Sequence, residues 1–140
     1  MHDPNCLFCK IASGVIPSYK IYETENFLAF LDIFPHTEGY TLVIPKNHYR
    51  WVWDVENIGE YFEVCQKIVK HFQKVTGKDA VYTWILGEEI PHAHVRIIPD
   101  QAGQYISEVA KFMDEQRNTG KVSKLDNTKA KEIQIKFQLK

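Results

Sequence analysis

Nine residues between two prolines constrain this chain more than any other segment: Pro91-His92-Ala93-His94-Val95-Arg96-Ile97-Ile98-Pro99. Their polarity alternates. His92, His94 and Arg96 face one side and Ala93, Val95 and Ile97 the other, the pattern of a half-buried strand. The prolines end strand pairing at both ends. Side chains at i and i+2 on such a strand stand roughly 7 Å apart, so two imidazoles and a guanidinium follow one another along one face. Neutral imidazole is a nucleophile near neutral pH. Arginine is always charged and presents a planar fork that matches phosphate oxygens. A polar strand face with two histidines is the structural alternative. The chemistry favours a phosphoryl- or nucleotidyl-transfer site.

The rest of the chain supplies the frame. Cys6-Leu7-Phe8-Cys9 has the two-residue spacing of a thiolate pair on zinc, a spacing that redox motifs share, and zinc would need further ligands from elsewhere. Lys10–Ser13 reads as a short helix ended by Gly14 and Pro17. Residues 20–24 and 27–31 read as two strands joined at Glu25-Asn26, and residues 40–44 as a third strand ending at Pro45. His48 follows just beyond. From Ile58 to Phe72 apolar residues recur at helical spacing, with Cys65 on the core face and Gly77 placed to end the helix. Residues 80–86 make another strand, and Gly87-Glu88-Glu89 reads as a polar hairpin loop into the histidine strand. Ile106, Val109, Ala110 and Met113 mark a second, shorter helix.

Residues 116–131 are rich in Lys, Asn and Thr and read as loosely ordered. Ile133, Ile135, Phe137 and Leu139 then alternate with polar residues, which predicts a terminal strand over 132–139. The expected architecture is α+β: a mainly antiparallel five-stranded sheet with one long and one shorter helix, over residues 1–116, followed by a C-terminal extension over 117–140.

At 140 residues, 44% apolar and 25% charged, the chain is one ordinary globular domain with an appendage. A net charge of −1 leaves no electrostatic footprint for non-specific nucleic-acid binding, and no sequence-specific nucleic-acid partner is expected. No apolar run reaches membrane-spanning length, and Met1-His2-Asp3-Pro4-Asn5 has no basic region before an apolar core, so a cytoplasmic protein without a membrane partner is expected. Three cysteines suit that compartment.

The histidine stretch resembles the signature of the histidine triad (HIT) family, in which three histidines alternate with apolar residues, here His92-Ala93-His94-Val95-Arg96-Ile97-Ile98. The resemblance continues through Cys6-Leu7-Phe8-Cys9-Lys10-Ile11, Ala29-Phe30-Leu31-Asp32-Ile33 and Leu42-Val43-Ile44-Pro45-Lys46-Asn47-His48, and covers roughly residues 5 to 115 in order. It implies a small α+β homodimer that binds a purine nucleotide or nucleotide conjugate and cleaves or transfers at the α-phosphate. The middle histidine of the motif, His94, would be the nucleophile, with a nucleotidyl-histidine intermediate that water resolves. Leu7, Phe8, Ile11, Phe30 and Ile33 would wall the base cleft, or simply belong to the core, and Asp32 would accept hydrogen bonds from the ribose hydroxyls. The zinc-containing Hint-like branch implies a structural zinc on Cys6, Cys9, His48 and His92, a closed tetrahedral set.

This chain departs from the family pattern at the phosphate. Arg96 stands at the third histidine, Tyr40 where many relatives carry another histidine, and Glu88 in place of a frequent glutamine. Arg96 supplies positive charge but does not titrate near neutral pH. The hairpin before His92 is short. The expected activity is a phosphoramidase-like hydrolase or transferase with slow turnover. The alternative is a catalytically weak nucleotide-binding or scaffold protein.

Overall fold

The computed structural model describes residues 3–139; Met1 and His2, which begin the segment read for a leader, and Lys140 lie outside the described residues. Backbone contacts divide the chain into two units, Met1–Tyr105 and Ile106–Lys140. The expected boundary at 116 falls inside a helix that begins in the first unit and ends in the second.

In the first unit a short helix α1 (Leu7–Ala12) precedes strands β1 (Lys20–Glu23), β2 (Phe27–Leu31) and β3 (Thr41–Pro45). A single 3-10 turn (Val52–Asp54) leads into the long helix α2 (Ile58–Thr76), then strands β4 (Val81–Trp84) and β5 (Val95–Pro99). The five strands form one sheet in the order β1-β2-β3-β5-β4, and every neighbouring pair is antiparallel. This is the α+β architecture expected.

The central strands β2 and β3 are apolar on both faces because helices cover both. Phe27, Ala29, Val43, Val95 and Ile97 pack with Tyr61, Cys65 and Ile68 of α2. The alternate residues Leu28, Phe30, Leu42 and Ile44 pack with Phe8, Cys9 and Ile11 of α1. Period-two alternation thus sorts each strand between two cores. Tyr61 stacks on Phe27 with ring centroids 4.8 Å apart and donates its hydroxyl to the Val43 carbonyl at 2.6 Å, so the buried phenol is satisfied. Burial pushes the Cys65 thiol up to about 12, which makes it an inert core residue. Gly77, at φ 67°, ends α2 in the left-handed conformation expected of it.

Register carries the sheet to the site. Lys20, Phe30, Leu42, Arg96 and Trp84 lie opposite one another in one row across all five strands. Direct neighbours in a ladder share a face. Arg96 therefore emerges on the α1 side, between Leu42 and Trp84.

Only the second half of the histidine stretch is strand. His92, Ala93 and His94 precede β5 in an extended segment whose backbone bonds go elsewhere: the His92 amide donates to the Ile90 carbonyl at 2.8 Å and the Ala93 amide to the Tyr49 carbonyl at 2.7 Å.

In the second unit α3 (Gln104–Asn118) runs on from Ile106, and α4 (Asn127–Phe137) follows. The terminal strand expected over 132–139 is therefore corrected to helix through Phe137. Asp126 caps α4 by accepting from the Lys129 amide at 3.0 Å, and the run Lys129-Ala130-Lys131-Glu132 consists of strong helix formers. Ile135 and Phe137 remain 70% and 71% exposed, so the alternation that read as a half-buried face buries nothing. The segment expected to be loose, 116–131, contains the end of α3 and the start of α4. Neither helix has a fully buried residue. Among the described residues no helix is long and apolar enough to cross a membrane.

Candidate active site and metal centre

Four residues that could hold a metal ion converge from three places in the chain. Cys6 and Cys9 sit at the start of α1, His48 lies three residues past β3, and His92 precedes β5. Their ligand atoms all lie within 4.8 Å of one another. Cys6 Sγ is 3.3 Å and Cys9 Sγ 3.6 Å from His92 Nδ1, and Cys9 Sγ is 3.4 Å from His48 Nδ1. Sulfur and nitrogen ligands around one tetrahedral zinc stand roughly 3.5 Å apart, so the residues fit that ion. The far nitrogen of His92, Nε2, donates to the Pro45 carbonyl at 2.9 Å, which leaves Nδ1 its lone pair for a metal. Both cysteines are free. Burial raises the Cys9 thiol, and a cation at the centre of the cluster is what would hold it as thiolate.

His94 lies two residues on. Its Nδ1 donates to the His92 carbonyl at 2.8 Å, so Nε2 keeps the lone pair. Burial pulls the imidazole below its ordinary value against the raising effect of that carbonyl, and the Arg96 charge adds to the lowering. A neutral imidazole with a fixed tautomer results. The ring is 2% exposed and packs edge-on against Phe8, centroids 5.4 Å apart.

Beside it opens a cavity of ≈ 530 Å³. Leu7, Phe8, Ile11, Phe30, Asp32, Ile33 and Arg96, seven of the residues expected at a nucleotide site, all line it. His94 itself is not among the lining residues; Phe8, which packs on its ring, is. Asp32 Oδ1 accepts from the Phe34 amide at 2.8 Å, which fixes its carboxylate at the end of β2. Arg96 Nη2 lies 3.9 Å from Glu89, and its Nη1 is buried with no hydrogen-bond partner among the described residues.

Sequence reasoning missed part of the lining. His36 borders this cavity as well as a second one, where Tyr40, Trp84 and Tyr105 gather around Arg96. Trp84 reaches it through the β4–β5 register and Tyr105 through the turn after β5, and no local motif announces either. Tyr40, noted only as a departure, is buried, and its phenol is pushed up to about 12 by that burial.

A HIT domain matches residues 13–103. The chain belongs to the HIT family. It is 41% identical over 108 residues to the Bacillus subtilis protein named Protein hit, covering 68% of this chain and 70% of that one. It is 35% identical over 109 residues to an adenosine 5'-monophosphoramidase of Schizosaccharomyces pombe, covering 72% of this chain and 78% of that one. Among solved structures, a HIT family member from Bacillus subtilis superposes with a TM-score of 0.65 at 40% identity, covering 70% of this chain and 74% of that one. The matched domain contains His48, His92, His94 and Arg96, while Cys6 and Cys9 precede it. HIT membership accounts for the five-stranded sheet.

Proposed function

We propose that this HIT protein is a nucleotide hydrolase or transferase that cleaves at the α-phosphate of a purine nucleotide conjugate through His94. The observation that carries the reading is the His94 ring. Its Nδ1 is committed to a carbonyl, its Nε2 keeps the lone pair, and a charged guanidinium stands two residues on beside an apolar cavity. Relatives named adenosine 5'-monophosphoramidases support a phosphoramidase-like activity.

In this mechanism the base sits among Leu7, Phe8, Ile11, Phe30 and Ile33, and Asp32 accepts from the ribose hydroxyls. Arg96, whose Nη1 has no acceptor among the described residues, takes the α-phosphate. Nε2 attacks phosphorus and the N–P bond forms as the bond to the leaving group breaks, the leaving atom taking a proton from water. Water then attacks phosphorus, the histidine N–P bond breaks, and the water's proton is released with the nucleotide. Two displacements replace one difficult step. At 2% exposure His94 needs its cover, Phe8 first, to yield as substrate enters. That seclusion is also what favours the second reading, a nucleotide-binding protein with weak turnover.

Cys6, Cys9, His48 and His92 would hold zinc as in the Hint-like branch. Four protein ligands leave no open position, so its contribution is structural, fixing the segment that carries His94. The homodimer implied by family resemblance belongs to the same proposal, and among the described residues β4 is an edge of the sheet with no further strand beside it, which a second chain suits.

The test is turnover of an adenosine phosphoramidate by wild type and His94→Ala. A loss of about a thousandfold or more in the variant, with AMP binding retained, is expected. AMP binding by both chains with no turnover by either would favour the binding-protein reading.

A further inference from the structure

The chain's net charge of −1 conceals a division. Residues 117–140 hold seven lysines and arginines against two acidic residues, a net of +5, while residues 1–116 carry −6. Arg117 pairs with Asp114 at 3.5 Å. Among the described residues Lys121, Lys124, Lys129, Lys131 and Lys136 have no ion-pair partner, so their charge acts outward. The same stretch exposes Val122, Leu125, Ile133, Ile135, Phe137 and Leu139, at 38% to 100% of their surface. We propose that α4 and the residues beside it form a docking element for the surface of an anionic lipid bilayer. The inference is independent of the nucleotide chemistry and concerns where the protein resides.

Helical spacing supplies the first argument. Ala130, Ile133 and Phe137 lie three and four residues apart and so share one face of α4. Lys129 and Lys136, seven residues apart, run along a border of that face. Lys136 Nζ stands 5.3 Å over the Phe137 ring, which sets a charge beside the bulkiest apolar group. A bilayer interface accepts such a helix with its apolar side chains below the phosphates and its lysine stems reaching back to them.

Composition chooses between anionic partners. A nucleic acid would engage the lysines but offers little to six exposed apolar side chains in a stretch whose one aromatic ring is Phe137. Anionic lipid answers both, with phosphates for the ammonium groups and acyl chains for Ile133, Phe137 and Leu139. Among the described residues no helix is long and apolar enough to cross a membrane, and a surface element needs none. Residues 1–116, at −6, are repelled by the same surface, which leaves residues 117–140 as the part that touches it.

The experiment measures flotation of the full chain with two vesicles, one of phosphatidylcholine alone and one of phosphatidylcholine and phosphatidylserine in equal parts. Wild type should bind the mixed vesicles at least about tenfold more tightly, and the preference should vanish at high salt. Each lysine near such a surface is worth about fivefold, so Lys129→Gln/Lys136→Gln should weaken binding about twentyfold. Ile133→Gln/Phe137→Gln should weaken it about tenfold through lost burial of apolar surface. All four side chains are exposed and glutamine keeps helix propensity, so both variants fold, which circular dichroism checks. Equal binding to the two vesicles, binding to neither, or mixed-vesicle binding that neither pair of substitutions reduces would overturn the proposal. A single-stranded RNA is titrated in parallel. RNA bound more tightly than the mixed vesicles, and weakened by the lysine pair alone, would overturn the lipid reading in favour of nucleic acid.

Discussion

His92 and Arg96 stand four residues apart in one segment, and their surroundings are opposite. Both ring nitrogens of His92 are engaged, Nδ1 with the two cysteine sulfurs and Nε2 with the Pro45 carbonyl. Among the described residues Arg96 has one weak ion pair, at 3.9 Å, and a buried Nη1 with no acceptor. A buried polar group left unsatisfied costs stability, so a fold keeps one where a ligand completes it. In the proposed function the closed end serves as a structural clamp and the open end as a binding site. His94, between them, would be held by the first and served by the second.

The largest effect should come from opening the clamp. With zinc at a thousand times its Kd, binding adds about 4 kcal/mol to stability. Metal analysis should find one zinc per chain. Chelation or Cys9→Ser should lower the melting temperature by the corresponding amount, while Arg96→Ala leaves it nearly unchanged. Equal melting of the chelated and native protein would break the comparison at its closed end.

Arg96→Ala should weaken AMP binding by about ten- to a hundredfold, the scale of losing a charge-assisted hydrogen bond, as measured by titration calorimetry. Arg96→Lys should recover only part of this, because an ammonium lacks the fork. AMP affinity untouched by Arg96→Ala would move the phosphate elsewhere.

The closed end was largely legible in the chain. Cys6-x-x-Cys9, His48 and His92 have ligand chemistry whatever surrounds them, and the family resemblance joined them. The five strands and α2 followed from periodicity, because each packs an apolar face on the sheet or against it. The open end was legible only in part: Arg96, Asp32 and the apolar wall were named from the chain, its further neighbours were not. Trp84 and Tyr105 reach Arg96 only through register and a turn, which depend on how strands align and not on local pattern. The seclusion of His94 is likewise tertiary, since Phe8 comes from α1. The terminal strand failed for the reverse reason. Alternation is informative only where a core receives one face, and Ile135 and Phe137 meet none within their own unit, so the Asp126 cap and helix propensity decide.

The smallest effect sharpens the contrast by its distance from both ends. Hydrogen bonds from Lys20 and Lys46 hold the Glu23 carboxyl down to about 2. A depressed folded value stabilises the fold above the unfolded value near 4.5, and that contribution is lost as pH falls toward 2. Because Glu23 lies at the surface, solvent screens the gain. Glu23→Gln should melt within error of wild type at pH 7 and coincide with it at pH 2, with AMP affinity unaltered.

The most direct test of the central claim is intact-protein mass within the first turnovers on an adenosine phosphoramidate, with product release followed in the same samples. The account predicts an acid-labile adduct of one AMP on wild type, or AMP released at the rate the phosphoramidate disappears, and neither with His94→Ala. An adduct or equal product release from His94→Ala would contradict it.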